Sequence, residues 1–126
     1  LFRWKILRKP IGKSIESLKD KYEDSSYHLI GVIDNKIIAC GRLHFNSDNE
    51  AQIRYMAIDE NFQRKRIGVK IIELLEAEAK KKQINKIVLN ARNHVIEFYK
   101  KSGYKAVRKY KGSDTGIPHT TMEKIL

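Results

Sequence analysis

Between residues 50 and 82 the chain passes from an extended run to a helical one through a single basic turn, Gln63-Arg64-Lys65-Arg66-Ile67-Gly68. Ahead of the turn, residues 51–58 are rich in β-formers, with Ile53, Tyr55 and Ile58 among them. Behind it, Ile67, Ile71, Leu74 and Leu75 recur at i, i+4, i+7 and i+8, while Lys70, Glu73, Glu76 and Lys80 take the other side. That spacing predicts an amphipathic helix with one buried stripe. From Glu60 to Glu73 every charge in between is basic: Arg64, Lys65, Arg66 and Lys70. A strand that enters a helix through such a turn leaves backbone N–H groups at the positive end of the helix dipole, and Gly68 gives a ligand room to approach the main chain. The stretch therefore reads as an anion cradle suited to phosphate.

The rest of the chain is read around this unit. Residues 1–9 carry Phe2, Trp4, Ile6 and Leu7 among basic residues and are expected to form a helix that stops before Pro10. Residues 11–26 read as a polar loop with at most a helical turn. Gly12-Lys13-Ser14 ends like a P-loop but has Leu7 where that motif needs glycine, and it is set aside. Residues 27–34 and 36–46 form a hairpin about Asp34-Asn35, and Ser47-Asp48-Asn49 turns the chain into the strand at 51–58. After the long helix, Ile87-Val88-Leu89 is a short buried strand. Its link to 51–58 through a helix makes a β-α-β unit with parallel strands. A short helix at 95–101, capped by Gly103, a strand at 104–110 and a closing strand at 118–125 complete the chain. The expected class is α/β (α+β): one domain of 126 residues on a mixed sheet, with antiparallel strands first and a β-α-β unit after them.

Composition excludes some classes and leaves others open. Cys40 is the only cysteine, so an internal disulfide is excluded and a cysteine-based zinc site is disfavoured. No apolar run approaches a membrane span and no signal peptide is visible, which points to the cytoplasm and to no membrane partner. The formal net charge of +11 fits either a solvated lysine-rich surface or a polyanion-binding protein.

A second segment decides between these. Asn90-Ala91-Arg92-Asn93-His94-Val95-Ile96-Glu97-Phe98-Tyr99-Lys100-Lys101-Ser102-Gly103-Tyr104 runs from apolar strand through polar turn to a short helix carrying Phe-Tyr, then to a strand opened by Gly-Tyr. With the basic turn, it resembles the GNAT superfamily of acetyl-CoA-dependent N-acetyltransferases. In the family pattern Gln/Arg-x-x-Gly-x-Gly/Ala, Gln63 and Gly68 hold the outer positions and Arg66 stands at the middle glycine. The chain is also similar to small bacterial members that share an Ile-Arg-Tyr-Met-Ala strand (Ile53 onward) and an Ile-Pro-His turn, here Ile117, Pro118 and His119. Against the family order, the first strand is missing at the N-terminus.

The resemblance implies a site. The backbone of Met56, Ala57 and Ile58 would pair with the pantetheine arm of coenzyme A. The segment from Gln63 through Arg64, Lys65, Arg66, Ile67, Gly68 and Val69 would hold its pyrophosphate, and Asn93 is a further contact with the cofactor or a turn former. Splayed central strands would admit it. Tyr99 matches the family tyrosine that protonates the leaving thiolate, and a strand N–H from Met56, Ala57 or Ile58 would stabilise the oxyanion. For the general base, Arg54 and Tyr55 occupy positions where relatives carry a glutamate or order a water. His44, His94 and His119 are the remaining candidates, and His119 ranks first by its place before the last strand. Cys40 sits in a strand core without an evident base beside it, which favours direct transfer in a ternary complex.

The expected function is thus acetyl transfer from acetyl-CoA to a primary amine, on a small molecule or a peptide. The resemblance is compatible with a homodimer. The rival readings are a basic module that grips nucleic acid, which lacks any helix-turn-helix pair, zinc-finger spacing or aromatic RNA-binding sheet motif, and a non-catalytic acyl-CoA sensor.

Overall fold

The computed structural model describes residues 2–7, 26–62, 66–110 and 118–126, the first group through its backbone. Among the described residues seven strands form one sheet: β1 Phe2–Leu7, β2 Tyr27–Ile33, β3 Lys36–Phe45, β4 Glu50–Ile58, β5 Lys86–Arg92, β6 Lys105–Tyr110 and β7 His119–Ile125. Their order across the sheet is β1-β2-β3-β4-β5-β7-β6. Only β4 and β5 pair in parallel; the other neighbours are antiparallel. Two helices, α1 Ile67–Lys81 and α2 Ile96–Lys101, follow β4 and β5.

The helix expected at 1–9 is instead a strand. Phe2, Trp4 and Ile6 alternate at i, i+2 and i+4, the strand period, and Phe2–Leu7 pairs antiparallel with β2 from Phe2↔Ile33 to Leu7↔His28. A strand thus stands at the sheet edge that the sequence left without one. The polar stretch at 11–26 lies almost wholly outside the described residues. The hairpin about Asp34-Asn35 is present, with both turn residues at positive φ (50° and 66°), the conformation that a two-residue type I′ turn needs. The last strand does not close the sheet at its edge. β7 lies between β5 and β6, where Met122 is fully buried opposite Leu89, so β6 takes the edge.

One core fills the space between the sheet and α1. Ile71, Ile72, Leu75 and Ala79 of α1 pack against Leu43, Ile53, Ile87 and Leu89, all at most 4% exposed. Each leucine or isoleucine among them contributes about 1.5–3 kcal/mol by leaving water. The buried stripe of α1 is turned from the one expected: Leu74 and Ile67 are half-buried, while Gly68 and Glu76 face inward.

Candidate active site

The parallel pair at the centre of the sheet opens into a wedge. Pairing runs from Glu50↔Lys86 to Ile53↔Leu89 and stops, although β4 continues to Ile58 and β5 to Arg92. The cause is visible on the other side of β4. Ile53 faces Leu43 and Tyr55 faces Arg42, so Arg54 is an extra residue in β4, a β-bulge that bends the strand at the point where pairing ends. The closed end is clamped by an ion pair of Lys86 Nζ with Glu50 Oε1 at 3.2 Å. The Asn46 amide, donating at 2.8 Å, and then Lys86 hold the Glu50 carboxyl below its usual range. Beyond the bulge, Met56, Ala57 and Ile58 keep partners on β3 (Gly41, Cys40 and Ala39) and, among the described residues, no strand pairs with their other side. That leaves a backbone edge facing the wedge.

Helix α1 begins beside this edge. Arg66 is its N-cap at φ 63° and ψ 15°, with no side-chain cap, and the first helical bond runs from the Lys70 amide to the Arg66 carbonyl at 3.1 Å. The amides of Ile67, Gly68 and Val69 therefore lie before that bond at the positive helix end, with no acidic residue in the first turn. Arg66 itself adopts the left-handed conformation that favours glycine, so the backbone keeps a glycine-like turn at the residue that departs from the family pattern. Gln63, Arg64 and Lys65 lie outside the described residues.

Gly68 has a packing role besides the one its place in the turn suggests. A Cβ there would stand 2.9 Å from Phe98 Cζ and 3.1 Å from Ile58 Cδ1. Its bare Cα admits a neighbouring side chain, which brings α2 against the start of α1. Phe98 then meets Tyr99 edge-on at 5.1 Å between ring centroids, and Tyr99 meets Tyr104 at 6.0 Å.

Tyr99 is held by its backbone as well. Its carbonyl accepts from the Ser102 amide at 3.0 Å and the Tyr104 amide at 3.1 Å, while the Gly103 amide donates to the Lys100 carbonyl at 3.0 Å. With Gly103 at φ 98°, this is a Schellman C-cap, as the Ser-Gly stop predicted. The ring points onto the open half of β4, where its hydroxyl donates to Met56 Sδ at 3.7 Å. Burial pushes the Tyr99 phenol above its ordinary value, so it carries its proton at neutral pH.

The histidines separate by place. His44 is buried on β3 opposite Gln52, toward the closed end of the wedge. His94 is exposed in the turn before α2. His119, half-buried, opens β7 opposite Arg92, at the open end. Asn93 accepts at Oδ1 from the Thr120 hydroxyl at 3.2 Å, which ties the end of β5 to β7. Cys40 lies opposite Ala57, its thiol pushed up by burial. Among the described residues no group of acidic, histidine or cysteine side chains is arranged to hold a metal, and no helix is long and apolar enough to cross a membrane.

The family described as Acetyltransferase (GNAT) domain matches residues 7–126. The chain belongs to the GNAT acetyltransferase family. As a GNAT chain it is an acetyltransferase that draws its acetyl group from acetyl-CoA. It is 28% identical over 105 residues to the uncharacterised N-acetyltransferase YjcF of Bacillus subtilis, covering 83% of this chain and 74% of that one. It is 31% identical over 90 residues to glucosamine 6-phosphate N-acetyltransferase 1 of Dictyostelium discoideum, covering 64% of this chain and 57% of that protein. The fold superposes on a GNAT family acetyltransferase from Elizabethkingia anophelis with acetyl-CoA bound, with a TM-score of 0.79, 22% identity, and 99% and 98% of the two chains covered.

One cluster at this GNAT site was not anticipated from the sequence. Glu76, expected on the solvent face of α1, is buried; it accepts from the Tyr104 hydroxyl at 3.0 Å and from Lys124 Nζ at 3.0 and 3.1 Å. Lys124 also donates to the Ser102 carbonyl at 2.9 Å and lies 5.8 Å from the Tyr104 ring centroid. The cluster joins α1, β7 and the turn that ends α2. Its signal was present: Glu76 stands four residues after Ile72 and three before Ala79, on the buried stripe.

Proposed function

We propose that this acetyltransferase moves the acetyl group directly to a primary amine held in the wedge between β4 and β5, with Tyr99 as the proton donor. The observation that carries the reading is the Tyr99 hydroxyl standing 3.7 Å from the Met56 sulfur, on the half of β4 that β5 leaves unpaired. Acetyl-CoA fits what lines that place. The backbone edge of Met56, Ala57 and Ile58 that faces the wedge suits an extended amide-bearing arm, as an added strand would. The amides of Ile67, Gly68 and Val69, with Gln63, Arg64, Lys65 and Arg66 leading in, suit a pyrophosphate.

Acetyl-CoA supplies a thioester, and the chain supplies what the transfer needs around it. A β4 N–H between Met56 and Ile58 stabilises the negative charge that develops on the carbonyl oxygen as the amine nitrogen bonds to the carbonyl carbon. As the C–S bond breaks, the Tyr99 hydroxyl gives its proton to the sulfur, and the nitrogen loses one in turn. His119, at the open end of the wedge, is the candidate to receive it. Burial keeps the Cys40 thiol protonated, which supports direct transfer over an acetyl-cysteine route. Similar proteins named as N-acetyltransferases support nitrogen as the acceptor. The test is calorimetric titration with acetyl-CoA followed by turnover with a panel of primary amines. Binding and acetylation of at least one amine is the expected result, and absence of binding at millimolar acetyl-CoA would sink the reading.

A further inference from the structure

Two charged side chains stand where the fold expects apolar ones. On β7, strand alternation puts Lys124 on the face of Met122, which is fully buried, and Leu126 two residues on packs against the same core. On α1, Glu76 shares the buried stripe of Ile72 and Ala79. The two meet at 3.0 Å, with side chains 28% and 12% exposed. The cost of taking two charges out of water offsets much of their attraction, which leaves the geometry they fix as the distinguishing effect of the pair.

That geometry leads to Tyr99 by two routes. Lys124 Nζ donates to the Ser102 carbonyl at 2.9 Å, and the Ser102 amide in turn donates to the Tyr99 carbonyl at 3.0 Å. By the second route, Lys124 Nζ donates to both carboxylate oxygens of Glu76, at 3.0 and 3.1 Å. Glu76 accepts from the Tyr104 hydroxyl at 3.0 Å, and the Tyr104 ring stands edge-on to the Tyr99 ring with 6.0 Å between centroids. One route fixes the main chain of Tyr99 and the other its ring, and both end on one ammonium. The turn after α2 is shaped to admit it. A Cβ at Gly103 would stand 3.2 Å from Lys124 Cε and 3.5 Å from Nζ, so the glycine that caps α2 also lets the lysine pass to Ser102.

We propose that Lys124 is a positioning residue for the proton donor: by tying the end of α2 to Glu76 of α1, it fixes where the Tyr99 hydroxyl stands on the open half of β4. This role rests on the reading of Tyr99 as proton donor given above. A proton passes between heavy atoms only within hydrogen-bond reach, so a displacement of about 1 Å at the hydroxyl lowers turnover steeply while the cofactor keeps its other contacts. The effect of Lys124 is therefore confined to the step that uses Tyr99.

The test is a double-mutant cycle in steady-state kinetics, with acetyl-CoA and the most active amine of the panel above. Lys124→Met keeps the apolar stem and removes the charge; kcat should fall roughly tenfold, with the KM for acetyl-CoA little changed. In a Tyr99→Phe background the same change should lower kcat by less than about twofold, because the group that Lys124 positions is already gone. Lys124 alone cannot be removed without leaving Glu76 charged and half without partners, so the cycle is repeated with Glu76→Gln/Lys124→Met, which removes both charges together and keeps an acceptor for the Tyr104 hydroxyl. Its kcat should stay low even where its melting temperature matches the wild type. Lys124→Arg, which still donates to carbonyl and carboxylate, should recover part of the turnover. An equal fall in the wild-type and Tyr99→Phe backgrounds, or wild-type kcat in Glu76→Gln/Lys124→Met, would overturn the proposal. Unchanged turnover in Tyr99→Phe by itself would strike the proton-donor reading, and the role of Lys124 with it.

Discussion

The Tyr99 hydroxyl spends its hydrogen bond on the Met56 sulfur, 3.7 Å away across the gap between α2 and β4. A thioether is a weak acceptor, so the phenol is held in place without being strongly committed, and a developing thiolate would outcompete it. Tyr99→Phe keeps the ring that packs on Phe98 and Tyr104 and removes only the proton. We expect kcat to fall by about 10²-fold or more, with the KM for acetyl-CoA little changed. Steady-state kinetics with thiol detection checks this, and unchanged turnover would remove Tyr99 from the mechanism.

Gly68 couples the start of α1 to the helix that carries Tyr99. Gly68→Ala would set a methyl 2.9 Å from Phe98 Cζ, and that ring is boxed in by its edge contact with Tyr99. The ring must shift and take α2 with it, at a cost of about 1–3 kcal/mol. A melting temperature lower by several degrees is expected, together with a fall in kcat, because Tyr99 moves off the β4 edge. Phe98→Leu in the alanine background, which makes room for the methyl, should recover part of the lost stability.

Arg66 separates backbone from charge. It adopts φ 63°, which costs a non-glycine residue about 1 kcal/mol, yet it adds a cation at the mouth of the cradle. Arg66→Gly should raise stability by about that amount while weakening acetyl-CoA binding several-fold. Arg66→Ala should lose the charge and keep the strain, giving weaker binding with no gain in melting temperature. Calorimetric affinities and thermal melts on both variants make the comparison, and tighter binding in either would show that the charge does not serve the cofactor.

Much of this was legible because it depends on local rules. The Asp34-Asn35 turn, the Ser102-Gly103 stop and the β-α-β link each follow from backbone conformations that few residues adopt. The wedge could be expected only from the resemblance; its physical cause, the bulge at Arg54, depends on a register between β3 and β4 that no single strand reveals. At the N-terminus, basic residues between Phe2, Trp4 and Ile6 masked a period of two, and the pairing available on β2 decided the outcome. A packing role of Gly68 was hidden for a related reason. A glycine in a basic turn before a helix signals ligand approach, and only the packing of α2, distant in sequence, shows that Phe98 fills the space. Glu76 was placed on the wrong side because its charge was weighed above its spacing.

The Glu76 cluster makes a prediction in alkali. Burial first, and then the charge of Glu76 beside it, push the Tyr104 phenol far above the ordinary tyrosine value of 10.0. A group whose folded pKa is raised contributes stability that is complete below the unfolded value and is lost as pH climbs through 10 and beyond. Lysines titrate in the same range, so the wild-type curve alone does not isolate the effect; the difference from Tyr104→Phe does. That variant gives up the 3.0 Å bond to Glu76, about 1 kcal/mol at neutral pH, but Glu76 keeps Lys124 as a partner. Between pH 9 and 11 the gap between the two proteins should therefore narrow and then reverse, measured by denaturant unfolding at each pH. Glu76→Ala should behave differently. It strands Lys124 and Tyr104 together at a cost of about 3 kcal/mol, and because it also loosens the turn that ends α2, turnover should fall with stability at neutral pH. A gap between wild type and Tyr104→Phe that stays constant from pH 8 to 11 would show that the phenol is not held neutral by its surroundings.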